Sequence, residues 1–180
     1  MDLIKGIKER RSIRRFKSEI PSKEVIGQIV DAAIFAPSWK NSQVVRYTVI
    51  EDKELKNKIA DAGMLEFISN TNVIHRSPVL VVQSAVMGRS GYERDGSFTT
   101  DKGDGWEMYD AGISAQTFCL AAHNYGLGTV IMGIFDDSVI QKYIALPENE
   151  RITGLIALGY PDEENIAPKR KETAQILRFV

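Results

Sequence analysis

The stretch WEMYDAGISAQTFCLAAHNYG, residues 106–126, is apolar at nearly every helical angle rather than along one stripe. A helix of that kind is buried all round, in the core or against a second subunit. The rest of the chain has to be arranged about it. Gly126 stands just past its last periodic residue, where a glycine commonly caps a helix C-terminus.

PSKEVIGQIVDAAIFAP (21–37) reads as a second helix, with Val25, Ile26, Ile29, Val30 and Ala33 as its apolar stripe and Pro37 at its end. Leu3, Ile4 and Ile7 mark a short amphipathic helix at the N-terminus. Asp52 can cap a helix carrying Leu55 and Ile59, and residues 137–146 form another. VVRYTVIE (44–51) is β-branched, as suits a strand, and PVLVVQSAV (78–86) reads as a buried one. GTVIMG (128–133) and ITGLIALGY (152–160) are further strands, and the tail AQILRFV (174–180) is strand-like. Residues 87–105 hold five glycines and read as a long loop. Helices and strands mix without strict βαβ alternation, which predicts an α+β fold. At 180 residues and 43% apolar, with no repeat or linker, residues 1–180 are expected to close one domain.

The charge is balanced, 23 basic against 24 acidic residues, which argues against a general nucleic-acid binder. No run approaches the roughly 18 apolar residues of a membrane span, and MDLIKGIKERR has no apolar signal core. The single cysteine, Cys119, excludes an internal disulfide framework and suits a reducing compartment. A soluble cytoplasmic protein is expected. The two histidines and Cys119 show no metal-ligand spacing, so no metal is expected. Cys119 and His123 share a helix face, but a buried small thiol is the better reading. Gly126-Leu127-Gly128 follows a helix and precedes a strand, the reverse of a dinucleotide-binding loop.

Two segments carry chemistry. ERRSIRRF (9–16) places four arginines within six residues, around Ser12, where the first helix should end. Guanidinium forks and a hydroxyl match the acceptor oxygens of a phosphate monoester; a solvated or salt-bridged face is the competing reading. The basic PKRKE (168–172) either completes the same site or forms a soluble tail. APSWKNSQ (36–43) presents Ser38, Asn41, Ser42 and Gln43 after a helix end. Those amides and hydroxyls suit the edge of a heterocycle such as a flavin pyrimidine, or simply a capped terminus with polar turn residues. Trp39 and Trp106 are either stacking surfaces or core.

Together these segments resemble the nitroreductase family of FMN-dependent oxidoreductases. RRSIRRF is similar to its Arg-Arg-Ser-x-Arg-x-Phe element, APSWKNSQ to Ala-Pro-Ser-x-x-Asn-x-Gln, and GLGTVIMG to Gly-Leu-Gly-Thr-x-x-x-Gly. LGYPDE with KRK resembles the closing strand and basic tail. The chain departs from the family at Val44 and Val45, where Pro-Trp is usual. It is also short, so a more open substrate pocket without inserted lid helices is expected.

The resemblance implies a nitroreductase-like central sheet flanked by helices, in an intertwined homodimer with FMN at the subunit interface. Arg10, Arg11, Ser12 and Arg14 would hold the phosphate, ribityl chain and pyrimidine edge. Pro37, Ser38 and Asn41 would reach the flavin of the partner, Met132 and Gly133 would line its ring, and Arg170 and Lys171 would close on the phosphate. A further contact is expected from the helix before the second strand, at Asn70 or Asn72. It implies electron transfer from NAD(P)H through flavin N5 to a small acceptor, such as a nitroaromatic or quinone, in ping-pong order. No catalytic side chain is required; Arg14, set apart from the phosphate pair, is the candidate for stabilising reduced flavin. An FMN sensor or store without turnover, or another flavin chemistry such as reductive dehalogenation, are the alternatives.

Overall fold

The computed structural model describes residues 2–164 and 166–180. Its centre is a four-stranded antiparallel sheet built from β1 (Val45–Ile50), β2 (Val79–Val86), β3 (Gly128–Met132) and β4 (Glu150–Gly159), in the order β1-β2-β4-β3. The helices are α1 (Leu3–Glu9), α2 (Lys23–Ala33), α3 (Lys53–Ala62), α4 (Ile68–Arg76), α5 (Gly105–Asn124) and α6 (Asp137–Ile144).

The unbroken apolar run of β2 has a simple cause: both faces of the sheet are covered. Val79 and Val81 pack with Ile26, Ile29 and Phe118 of α2 and α5, while Leu80 and Val82 pack with Ile59, Ile74 and Ile140 of α3, α4 and α6. With neighbours on either side, β2 needs no polar alternation. Local signals fix the helix starts. The Ser22 side chain accepts from Val25 N, Asp52 from Leu55 N at 2.7 Å, and Asp136 from Ser138 N and Val139 N.

α5 buries Ala111, Ala115, Phe118 and Ala122, as its sequence requires. The expectation of burial all round is not met within one chain, because Met108, Tyr109, Gly112 and Gln116 form an exposed stripe. At its end Gly126 adopts φ +75°, Gly126 N donates to His123 O and Leu127 N to Ala122 O, and the chain turns into β3. The second glycine of that triplet has a different cause. A Cβ on Gly128 would lie 2.5 Å from Ile13 Cγ1, so only glycine lets residues 10–16 cross there. They do so through a Ser12–Thr129 bridge, with Ile13 N donating to Thr129 O at 2.9 Å.

The expected tail strand does not form in the single chain. Residues 173–175 make one 3₁₀ turn, and Ile176, Leu177 and Phe179 are exposed with no strand beside them.

Candidate functional site

The crossing over β3 delivers the arginine cluster to a defined place. Lys17 N donates to Tyr160 O and Asp162 N to Arg15 O, so residues 15–17 run alongside residues 160–162. Glu163 Oε1 accepts from the backbone N–H of Arg14 at 2.5 Å and of Arg15 at 3.2 Å. Arg10, Arg11, Ser12, Arg14 and Arg170 consequently line one cavity of about 350 Å³, with Ile166 and Pro168. Lys171 is exposed and does not line it.

Among the described residues none of these arginines forms an ion pair with a carboxylate. Arg14 pairs with neither Glu9 nor Glu19; its Nη1 reaches only Ser12 O, at 3.3 Å. Arg11 Nη1 folds onto Lys8 O and Arg10 O, the carbonyls at the end of α1. Arg10 Nε is buried and has no hydrogen-bond partner. A buried guanidinium donor without an acceptor is costly, and Arg10 lines both this cavity and the adjoining one. Convergent unpaired guanidiniums, a serine hydroxyl and a donor lacking its acceptor fit a phosphate monoester, and so fit the terminal phosphate of FMN.

His123 borders the adjoining cavity with Arg10 and Arg11. Burial lowers its pKa; Glu9 opposes the shift, and Arg10 and Arg11 add to it, so the ring adds no positive charge at neutral pH. Burial also raises the Cys119 thiol, which agrees with a buried structural thiol rather than a nucleophile.

Residues 36–43 form a turn in which Lys40, Asn41 and Gln43 have φ of +44°, +55° and +50°. Left-handed backbone at a non-glycine residue costs about 1–2 kcal/mol, less for asparagine. Ser38 Oγ accepts from Gln43 N at 3.0 Å, which closes the turn. Pro37 and Ser38 line a small cavity with Tyr47, Asp110 and Ser114, and this shares no lining residue with the arginine cavity. In one chain the 36–43 turn and the arginine cluster thus line two separate cavities. The Trp39 and Trp106 rings are tilted at 45° with centroids 4.6 Å apart, so the two tryptophans pack on each other.

At the end of β3, Met132 is buried and Gly133 exposed. The sequence left Asn70 and Asn72 open as the additional contact. Asn72 is exposed, whereas Asn70 is buried and its Nδ2 donates to Ile134 O at 3.2 Å, one residue beyond Gly133. Sequence reasoning missed Glu107 and Asp110. Both are buried carboxylates of α5, and two acids inside an otherwise apolar helix were the available signal. Glu107 accepts from Gly88 N at 2.7 Å and from Arg151 Nη2 at 2.5 Å, tying the start of the 87–105 loop to β4.

The Nitroreductase family profile matches residues 7–160, a span that includes the arginine cluster, the 36–43 turn and β3. The chain is 31% identical to a Bacillus subtilis protein named FMN reductase, over 94% of this chain and 70% of that one. It is 26% identical to the solved structure of an FMN-dependent nitroreductase from Clostridium difficile, with a TM-score of 0.79, covering 98% of each chain. A Thermotoga neapolitana protein named iodotyrosine deiodinase is 25% identical over 96% of this chain and 94% of that one.

Proposed function

Because the chain belongs to the nitroreductase family, we propose that it is an FMN-dependent oxidoreductase that takes electrons from NAD(P)H and delivers them to a small organic acceptor, a nitroaromatic or quinone. The observation that carries this reading is Arg10, whose buried Nε has no partner beside a cavity ringed by Arg11, Ser12, Arg14 and Arg170. When bound, FMN supplies hydride chemistry at N5, which needs no acid or base from the protein. Arg10, Arg11, Ser12 and Arg170 hold the phosphate, with Lys171 drawn in from the exposed tail. Arg14, which has no carboxylate partner among the described residues, would serve the pyrimidine edge. Met132 and Gly133 line the ring with backbone, and Asn70 braces that stretch from behind.

Pro37, Ser38 and Asn41 of one chain complete the arginine cavity of the other in a homodimer. Support comes from apolar surface that one chain leaves open: Leu3, Ile4 and Ile7 on α1, Phe35, Met108 and Tyr109, and the tail side chains Ile176, Leu177 and Phe179. Exposure on this scale in neighbouring elements marks an association surface, and the tail lies across the partner. No described helix is long and apolar enough to cross a membrane, and the reading places the enzyme in the cytoplasm as a single domain.

The purified protein should be yellow, with a flavin absorption band, and should oxidise NAD(P)H steadily with a quinone or nitroarene. A colourless protein that takes up no FMN ends the reading. Reductive dehalogenation is the second reading, favoured by the iodotyrosine deiodinase relative; release of iodide from an iodotyrosine without quinone turnover would select it.

A further inference from the structure

Asp110 sits in the second turn of α5 and is 3% exposed. Among the described residues no cation lies within ion-pair distance of it. Hydrogen-bond donors meet its carboxylate instead. Trp39 N–H reaches both oxygens, at 3.1 and 3.0 Å. Ser90 Oγ donates to Oδ2 at 2.6 Å, and Ser42 Oγ lies 3.4 Å from Oδ2 and 2.7 Å from Ser90 Oγ. A buried carboxylate without a counter-charge is expensive for a fold, so a use for its donors has to be sought.

Two of the donors belong to the 36–43 turn: Trp39 lies just before the left-handed Lys40 and Asn41, and Ser42 lies between Asn41 and Gln43. The third, Ser90, belongs to the 87–105 loop. Strained backbone of this kind persists only where its surroundings over-determine it. Besides the Ser42–Ser90 hydrogen bond within this cluster, Lys40 pairs with Glu93 at 3.2 Å across the same two segments, but that pair is exposed and holds little.

Resting on the flavin reading above, we infer that Asp110 is a positioning residue for the cofactor site. It clamps residues 36–43 in the left-handed turn that presents Ser38 and Asn41 to the FMN of the second copy, and through Ser90 it ties that turn to the 87–105 loop.

The test is FMN titration of the flavin-free full-length protein, alongside its melting temperature. Asp110→Asn keeps the volume but removes the negative charge and leaves one acceptor oxygen for the backbone N–H of Trp39, while its NH₂ group makes the Ser90 hydroxyl reverse from donor to acceptor. The Kd for FMN should rise on the order of tenfold to a hundredfold. The melting temperature of the flavin-free protein should move little, because releasing the turn also releases its strain. A residue that only supports the core gives the opposite result, a lower melting temperature with an unchanged Kd, and that overturns the inference. Ser90→Ala removes one donor and leaves the carboxylate in place; it should raise the Kd by a smaller factor, and it decides the matter if Asp110→Asn does not fold. An unaltered chain that binds no FMN sinks the flavin reading and this inference with it. An unaltered chain that binds FMN, with both variants binding equally well, sinks the inference alone.

Discussion

Ile13 rests directly on Gly128: a Cβ added at 128 would come 2.5 Å from Ile13 Cγ1 and 2.7 Å from Ile13 Cβ. That contact sets the height at which the arginine-bearing segment crosses β3, and the atoms met are the branch of a buried Ile13 side chain rather than the end of a flexible one. Gly128→Ala should therefore destabilise the protein by about 1–3 kcal/mol, as overpacking does. It should also push Arg10 and Ser12 off the cavity. Chemical denaturation and FMN titration check the two effects; a variant as stable as the parent would mean that the crossing is loose.

Discrimination between FMN and riboflavin follows from the same cavity. Riboflavin lacks the phosphate that Arg10, Arg11, Ser12 and Arg170 would bind. Arg10→Ala should weaken FMN by about tenfold to a hundredfold, the worth of one or two charged hydrogen bonds, and leave riboflavin affinity unchanged. Equal affinity of the unaltered protein for the two flavins would remove the phosphate assignment.

Association has a direct measurement. The exposed α5 stripe with Met108 and Tyr109, the α1 residues Leu3, Ile4 and Ile7, and the apolar tail predict a homodimer at micromolar concentration. Light scattering should give about twice the 20.1 kDa chain mass. Removing residues 174–180 should weaken the dimer and lower FMN affinity with it, since in the proposed arrangement each site is completed by the 36–43 turn of the other copy. A stable monomer with FMN bound contradicts the shared-site arrangement.

Lys56 offers a test of the core by pH. It is buried on α3, and its Nζ donates to Ile74 O, a terminal carbonyl of α4, at 2.7 Å. Burial first, and the like charge of Lys53 second, lower its pKa. The folded state then binds this proton less readily than the unfolded chain, whose lysine titrates near the ordinary value of about 10.4. Its destabilising contribution is present in full below the folded pKa. It fades as pH rises from there towards the unfolded value. Stability of the parent relative to Lys56→Met should therefore increase with pH across that alkaline window. Comparing the two cancels the opposing effects of Tyr47 and Cys119, whose pKa values burial raises. Parallel stability curves would show that Lys56 is not desolvated in solution.

Much of this architecture could be read where a local signal and the tertiary environment agreed. The Val25 to Ala33 stripe announced α2, Asp52 announced α3, and the unbroken apolar run announced β2. α4 was not legible from its own residues. It is preceded by Leu65 and Glu66 in left-handed conformation, its N-cap is Phe67 without a side-chain cap, and ISNTNVIHR has a weak stripe. The tail read as a strand because its side chains are apolar and branched, yet pairing needs a neighbour that one chain does not provide. Within the site, the arginines and the 36–43 turn were visible as motifs. Asp110 was not, because its meaning lies in Trp39 and Ser90, distant in sequence.

Arg14 carries the sharpest prediction. The competing reading of the cluster is a solvated or salt-bridged face, yet Arg14 pairs with no carboxylate among the described residues; Glu163 takes its backbone N–H instead, and the guanidinium hydrogen-bonds only to Ser12 O. An unpaired cation on the cavity rim favours whichever cofactor state is more negative. Reduction adds negative charge to a flavin, so Arg14→Ala should lower the midpoint potential of the bound cofactor by tens of millivolts, the equivalent of about 1–3 kcal/mol for a two-electron couple. Affinity for oxidised FMN should fall less. Arg10→Ala should behave in reverse, because the phosphate charge is the same in both redox states. Glu163→Gln should leave the potential nearly unchanged, since the amide oxygen can still accept from Arg14 N–H and keep the segment in place. Spectroelectrochemistry on the three variants separates charge from position: an unaltered potential in Arg14→Ala would put that guanidinium in solvent rather than beside the ring.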